Sequence, residues 1–247
     1  MFIGYIFLIF IIATVFRLFN RFNNTSYNNY SYRNHYKERN SSIEYENAFF
    51  NGTFSMLAKL ACADGQINDN AKRKIEQFMN YNLNLSPEAY NHAVSIFNKA
   101  LSDNRSFESY ADEFYNSFSN QLDILQLLID IFYRVAMSDG HMSLKEDSMI
   151  YYAARRFNIP DSVLRLIKNR YGGNSTSSST RYYAVLGLKD NASNDEIKST
   201  YRKLIKEFHP DTVSQKGAGE QFKEYAKKRF QEIQDAYEQI CKERGIK

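Results

Sequence analysis

Fifteen residues without a charge open the chain and constrain its folding more than any other feature. They run from Phe2 to Phe16, FIGYIFLIFIIATVF, and the apolar stretch reaches Phe19 if the Arg17 side chain extends to the lipid headgroups. As a helix, residues 1–19 would span roughly 28 Å, about the thickness of the hydrocarbon core of a bilayer. The run therefore predicts a transmembrane anchor over residues 1–19.

The residues around this run argue against a cleaved signal peptide and predict the orientation of the anchor. No Lys or Arg precedes Arg17, and no Ala-x-Ala cleavage site follows the run. The nearby positive charges all lie on its carboxyl side: Arg17, Arg21, Arg33, Lys37 and Arg39. Because cytoplasmic flanks are enriched in Lys and Arg, we expect a single-pass protein of the inner (cytoplasmic) membrane, with its N-terminus outside and its bulk in the cytoplasm. Small residues are sparse in the anchor, so it does not support dimerisation, although a homodimer stays open.

Composition favours an all-α fold for the remainder of the chain. Gly 10 and Pro 3 are few, hydrophobic residues are 43%, and the apolar positions recur with a helical period. The polar segment 20–42 predicts a flexible tether, and GGNSTSSST, residues 172–180, predicts a Gly/Ser-rich linker. The two breaks delimit one helical domain at 43–171, with about seven helices, and a second at 181–247. The two cysteines, Cys62 and Cys241, fit a reducing compartment and are too few for a zinc site.

The first of these domains contains a repeated corner. Each copy ends one helix with a glycine able to adopt positive φ and supplies an N-cap residue for the next, which favours a structural role for its aspartate. Metal binding at Asp64 and Asp139 is the weaker alternative, because neither copy has the spaced oxygen ligands of an EF-hand loop. The two copies are Ala61-x-Ala63-Asp64-Gly65-x-Ile67-Asn68 and Ala136-x-Ser138-Asp139-Gly140-x-Met142-Ser143. This duplicated corner resembles the TerB-like helical domain of tellurite-resistance proteins and some membrane co-chaperones.

The sequence of the second domain predicts three helices. A short apolar one, within YYAVLGL, stops at Gly187; Ser193, with Glu196 as capping-box partner, starts a longer one that runs to Phe208. The third, over about 221–240, has a single apolar stripe and predicts an antiparallel hairpin with the second. The second helix has an apolar face and a basic one, the latter formed by Lys198, Arg202, Lys203 and Lys206.

A His-Pro-Asp tripeptide, His209-Pro210-Asp211, follows the basic helix. Together with the helices around it, this motif resembles the J domain of DnaJ-type co-chaperones over 181–247. The order of membrane helix, TerB-like domain and C-terminal J domain resembles the DjlA family. The Gly/Phe-rich region and the cysteine-rich zinc domain of DnaJ itself are absent from the sequence.

The resemblance implies a protein that is not an enzyme but docks on an ATP-loaded DnaK-type chaperone and stimulates its ATP hydrolysis. No cofactor is expected, since ATP is bound by the partner. The basic residues would meet an acidic surface of the partner; Asp211 would supply a carboxylate, His209 an imidazole and Pro210 rigid geometry. Tyr201 and Phe230 match family positions that contribute to the contact or support it, although both also fit the core. The TerB-like domain would recruit a client or ligand.

Three other interpretations stay open at this level. The J fold could be an inactive docking module of a membrane-tethered adaptor, and Thr212 and Gln231, which replace frequent basic residues of the family, could weaken partner binding. Weak nucleic-acid binding is disfavoured, because residues 181–247 hold 14 basic and 11 acidic residues, a net charge of only +3. Enzyme activity is disfavoured because none of the four histidines has a nucleophile or a metal-ligand pattern beside it in the sequence. The four are His35, His92, His141 and His209.

Overall fold

Every regular element in the computed structural model is a helix, within the residues that it describes: 43–65, 67, 69–172 and 178–246. This confirms the predicted all-α class. The predicted anchor (1–19) and the whole of the predicted tether (20–42) lie outside these residues. Within them, no helix combines the length and apolar character needed to cross a membrane.

Seven α-helices make up the first domain as far as it is described, the number predicted from the start and stop signals. The fifth carries the most buried face. Its own Phe132 lies in a core of aromatic rings to which neighbouring helices add Phe49, Phe54 and Phe157. The helices are α1 (43–61), α2 (Asp69–Gln77, continued by a π-helical turn Phe78–Asn82), α3 (Pro87–Ser102), α4 (Phe107–Phe118), α5 (Leu122–Ala136), α6 (Leu144–Arg156) and α7 (Asp161–Tyr171).

Local signals set several helix ends as predicted. Ser143 Oγ accepts the Glu146 backbone N–H at 3.2 Å, and the Glu146 carboxylate accepts the Ser143 N–H at 2.7 Å, which completes a capping box before α6. The glycines of the repeated corner have φ of +119° at Gly65 and +82° at Gly140, the left-handed region that only glycine enters without strain. The N-cap expected at Asn68 lies outside the described residues.

The second domain contains α8 (Ser178–Val185), α9 (Asn194–Glu207), α10 (Pro210–Val213, continued by a π-helical turn Ser214–Ala218) and α11 (Glu220–Arg244). Helix α8 begins within the predicted linker, of which 173–177 lie outside the described part. Ser193 caps α9 by accepting the Glu196 N–H at 3.2 Å. The predicted capping box is only half formed: the exposed Glu196 side chain makes no return bond to the Ser193 N–H.

Helices α9 and α11 form the predicted antiparallel hairpin. The start of α9 lies near the end of α11, where Arg244 donates to Asn194 Oδ1 at 3.3 Å. In the middle, the rings of Tyr201 and Tyr237 stack with centroids 3.8 Å apart and planes 6° apart. The apolar stripes predicted for both helices account for this packing.

The two domains are in direct contact, and the described residues from 45 to 246 form one compact unit. The Phe222 ring of α11 meets Phe49 of α1 edge-on, with centroids 4.6 Å apart, and Tyr225 meets Phe78 at 5.7 Å. At the other side, Gly187 (φ +74°) lies so close to α7 that a Cβ would come within 2.3 Å of the Leu166 carbonyl oxygen. Only glycine fits there, on grounds of both backbone conformation and space.

Candidate partner-binding site

The His-Pro-Asp loop starts directly where α9 ends. Phe208 is the last half-helical residue, His209 is extended (φ −65°, ψ +125°), and Pro210 opens α10. Proline suits this first helical position, because its φ is already helical and its missing N–H needs no partner. The His209 ring is exposed and stands edge-on to Phe230, with centroids 5.8 Å apart. The loop therefore presents an imidazole on a backbone of restricted freedom.

The Asp211 side chain points away from the protein interior. It is exposed, and its carboxylate forms no hydrogen bond or ion pair with any residue that the structure describes. A carboxylate without an internal partner can accept charge-assisted hydrogen bonds from a basic group of another protein.

Helix α9, which leads into the loop, carries the four basic side chains that were predicted to meet a partner. Arg202, Lys203 and Lys206 are exposed and Lys198 is half-buried. None of the four forms an ion pair within the described part of the chain, whereas many other basic residues do. Unpaired cations one helical turn apart create a positive surface that would attract an acidic one, more strongly at low salt.

Two further predicted positions lie behind this surface. Tyr201 is half-buried and stacks on Tyr237, so it holds α9 against α11. Phe230 is also half-buried and supports the His209 ring. Of the two departures from the family pattern, Thr212 is half-buried beside the loop and Gln231 is exposed on α11.

A buried ionic cluster behind the loop was missed by sequence reasoning. Asp130 of α5 is fully buried and accepts a bond from Arg170 of α7 at 2.9 Å. The same carboxylate accepts the hydroxyls of Tyr171 at 2.7 Å and Tyr225 at 2.5 Å, and lies 3.5 Å from Arg229 Nε. The sequence did contain a signal, since Asp130 interrupts the apolar run from Leu127 to Phe132.

Charges of opposite sign keep Asp130 ionised. Complete burial opposes ionisation, but the Arg229 and Arg170 guanidinium groups and the two tyrosine hydroxyls lower the pKa of this carboxyl. Because the two arginines come from different domains, the cluster joins the domains through their interior.

The repeated corner holds a lysine where a cation could bind. Lys74 Nζ lies 3.0 Å from Asp139 Oδ1 and donates to the carbonyl oxygens of Ala136 at 2.8 Å and His141 at 3.2 Å. Asn70 donates to the other carboxylate oxygen at 2.7 Å. Within the described residues no group of three or more His, Cys, Asp or Glu side chains could hold a metal ion, and Asp64 is exposed.

Replacing Asp139 with asparagine is expected to lower stability at neutral pH by about 1 kcal/mol, because the pair with Lys74 is only partly buried. Partial burial opposes ionisation, yet Asn70 and Lys74 lower the pKa of Asp139 to about 2. A depressed carboxyl pKa stabilises the fold above its unfolded value of 3.8 and loses this effect as pH falls toward 2. Urea unfolding at several pH values should therefore show the difference from the parent shrinking below pH 4.

Asp64→Asn, the same change in the first corner, is the matched control. Asp64 has no lysine contact among the described residues, so its effect should stay within about 0.5 kcal/mol. A pH-independent difference for Asp139→Asn, or equal effects in both corners, would contradict the role of Lys74.

Comparisons with known proteins assign both domains. The family model of the tellurite resistance protein TerB matches residues 51–169 of the sequence, and the family model of the DnaJ domain matches residues 181–246. The chain is 27% identical to the co-chaperone protein DjlA of Photobacterium profundum, covering 85% of this chain and 82% of that protein. It is 28% identical to DjlA of Coxiella burnetii, covering 84% and 82%, and 27% identical to that of Escherichia coli, covering 81% and 80%. No solved structure matches. The chain therefore belongs to the DjlA family of DnaJ-like co-chaperones, with a TerB domain followed by a J domain.

Proposed function

We propose that this protein is a membrane-anchored co-chaperone that stimulates ATP hydrolysis by a cytosolic DnaK-type chaperone of the seventy-kilodalton class. One observation carries the proposal: an exposed His-Pro-Asp loop follows a helix face whose four cations form no ion pair with any described residue. Its membership of the DjlA family supports the same conclusion.

The residues would act in two stages. Lys198, Arg202, Lys203 and Lys206 speed and orient the encounter with an acidic surface of the chaperone, an effect that salt weakens. Asp211 then accepts bonds from a basic residue of the chaperone, and His209 contacts it from the same loop. Pro210 keeps these two side chains in a fixed relation. The chain catalyses no reaction itself, because ATP and its hydrolysis belong to the partner.

The test is single-turnover ATP hydrolysis by the DnaK of the same organism, with the full chain in detergent micelles. The parent is expected to raise the rate above the basal one, with the half-saturating concentration increasing as salt is added. No stimulation by a folded parent would overturn the proposal and favour a membrane-tethered adaptor with an inactive J fold. Tight, steeply salt-dependent binding to DNA in a retardation assay would instead favour the nucleic-acid interpretation.

The membrane anchor remains part of this proposal, supported by the charge-free run and the cations that follow it. An integral anchor predicts that the full chain stays in the membrane pellet after alkaline washing; release into the supernatant would contradict it. Such an anchor would concentrate chaperone activity at the cytoplasmic face of the inner membrane.

We also propose that the TerB-like domain recruits a client or ligand. A groove of about 540 Å³ between α1, α3 and α4 offers a place for it, with both charged and apolar side chains in its walls. The lining of the groove includes Ser55, His92, Ser95, Lys99, Arg105 and Glu113.

Filling the groove by Ser95→Trp should leave chaperone stimulation unchanged but impair complementation of a strain that lacks the protein. Full complementation by this variant would contradict recruitment at the groove.

A further inference from the structure

Two arginines lie beside the aromatic residue that precedes the His-Pro-Asp loop. Phe208 is fully buried, and its ring centroid lies 5.5 Å from Cζ of Arg170 and 5.4 Å from Cζ of Arg229. Arg229 belongs to the J domain, whereas Arg170 extends from α7 of the TerB-like domain. Guanidinium groups at this distance from an aromatic ring attract it, more strongly when both are removed from water.

Arg170 also faces the residue before Phe208. Its Nη1 lies 3.9 Å from Glu207 Oε1, and both side chains are almost completely buried, with 3% and 6% of their surface exposed. Burial raises the pKa of Glu207, an effect that Arg170 partly opposes. Glu207 Oε1 has no hydrogen-bond partner in the described structure, and of the two cations that stabilise its charge, Arg170 has a larger effect than Lys203.

The position of Arg170 is itself fixed. Asp130 accepts its Nη1–H at 2.9 Å from within the TerB-like domain. One helical turn earlier on α7, the Leu166 carbonyl contacts Gly187 of the J domain so closely that no Cβ fits. Helix α7 therefore contacts the J domain from Leu166 to Arg170, one helical turn, and Arg170 is the C-terminal residue of this turn.

We propose that Arg170 of the TerB-like domain is a positioning residue for the His-Pro-Asp loop of the J domain. It holds residues 207 and 208, from which the loop departs, while α11 holds His209 through Phe230. The TerB-like domain therefore fixes the position of the chaperone-binding loop through the buried residues Glu207 and Phe208, and Arg170 itself does not contact the chaperone. The proposal rests on the function proposed above.

The test compares Arg170→Met in the full chain with Arg165→Met, an exposed arginine on the same helix. Stimulation of the DnaK-type chaperone is titrated, so that the maximal rate and the half-saturating concentration are obtained separately. Because the basic face of α9 is untouched, the half-saturating concentration should change less than the maximal rate. A displaced contact group commonly costs ten-fold or more, so we expect the maximal stimulation of Arg170→Met to fall by about ten-fold. Arg165→Met should match the parent.

A second readout needs no chaperone. The Val213 N–H bonds to the His209 carbonyl at 3.1 Å and the Phe208 N–H to Leu204 at 2.9 Å, so hydrogen exchange at these amides reports the loop. Arg170→Met should speed exchange at both while leaving α3 and α4 protected. If the parent fails to stimulate the chaperone, the proposed function fails, and the exchange measurement still decides whether Arg170 positions the loop.

Arg170→Lys covers the case in which Arg170→Met does not fold. Lysine keeps the charge beside Asp130 but lacks the planar guanidinium beside Phe208, so it should fold and show both effects in weaker form. Exchange at Phe208 and Val213 unchanged in Arg170→Lys and in any folded Arg170→Met would overturn the proposal.

Discussion

Asp211→Asn is expected to reduce stimulation of the chaperone to the basal rate of ATP hydrolysis. The side chain keeps its shape but loses the charge that would pair with a basic residue of the partner, and Asp211 has no internal partner to lose within the described structure. Truncating one member of a charge pair at an interface costs about 2–5 kcal/mol, or roughly 30-fold to several thousand-fold in affinity. Single-turnover ATP hydrolysis over a wide concentration range measures this loss.

Asp235→Asn is the matched control, since Asp235 is an exposed aspartate of the same domain on α11. It should stimulate as the parent does. His209→Gln is expected to resemble Asp211→Asn, whereas His92→Gln, at an exposed histidine of α3, should leave stimulation of the chaperone unchanged. Unchanged helical circular dichroism would show that the loss is local. Parent-like stimulation by Asp211→Asn would remove the His-Pro-Asp loop from the mechanism.

Asp130→Asn is expected to cause the largest loss of stability, about 3–5 kcal/mol, because it leaves Arg170 and Arg229 buried without their shared carboxylate. The tyrosine hydroxyls that donate to Asp130 would lose part of their bonding as well. Urea unfolding of the full chain in detergent, followed by circular dichroism, measures the change.

The comparison is Asp161→Asn, whose pair with Arg155 leaves both side chains more than half exposed. Such pairs contribute little, so the change should stay within about 0.5 kcal/mol. The depressed pKa of Asp130 also fixes the sign of a pH effect: its stabilisation is present at neutral pH and is lost as acid protonates it. A loss below about 1 kcal/mol for Asp130→Asn would mean that water or movement of the arginines compensates the missing charge.

Local features account for what sequence reasoning predicted of this fold. Caps such as Ser143 with Glu146 and glycines such as Gly140 act within a few residues, so they are readable without coordinates. The apolar stripes of α9 and α11 likewise predicted the hairpin, and the His-Pro-Asp motif predicted where the candidate site lies. The capping box that was predicted at Ser193 is only half formed for an equally local reason. The exposed Glu196 carboxylate is already solvated, so a hydrogen bond to the Ser193 N–H would gain it little.

By itself, the sequence determined the helices, their order, the family resemblance and the side chains of the candidate site, because each depends on neighbours along the chain. Only the tertiary structure decided which charges meet. Asp130 and Tyr225 are 95 residues apart, and Arg170 reaches Glu207 across a domain boundary. A linker composition predicts freedom between domains, but it carries no information about the surfaces that the linker allows to meet. A charged residue at a buried position predicts that an oppositely charged or hydrogen-bonding partner exists. Which residue is that partner depends on how helices distant in sequence pack against each other.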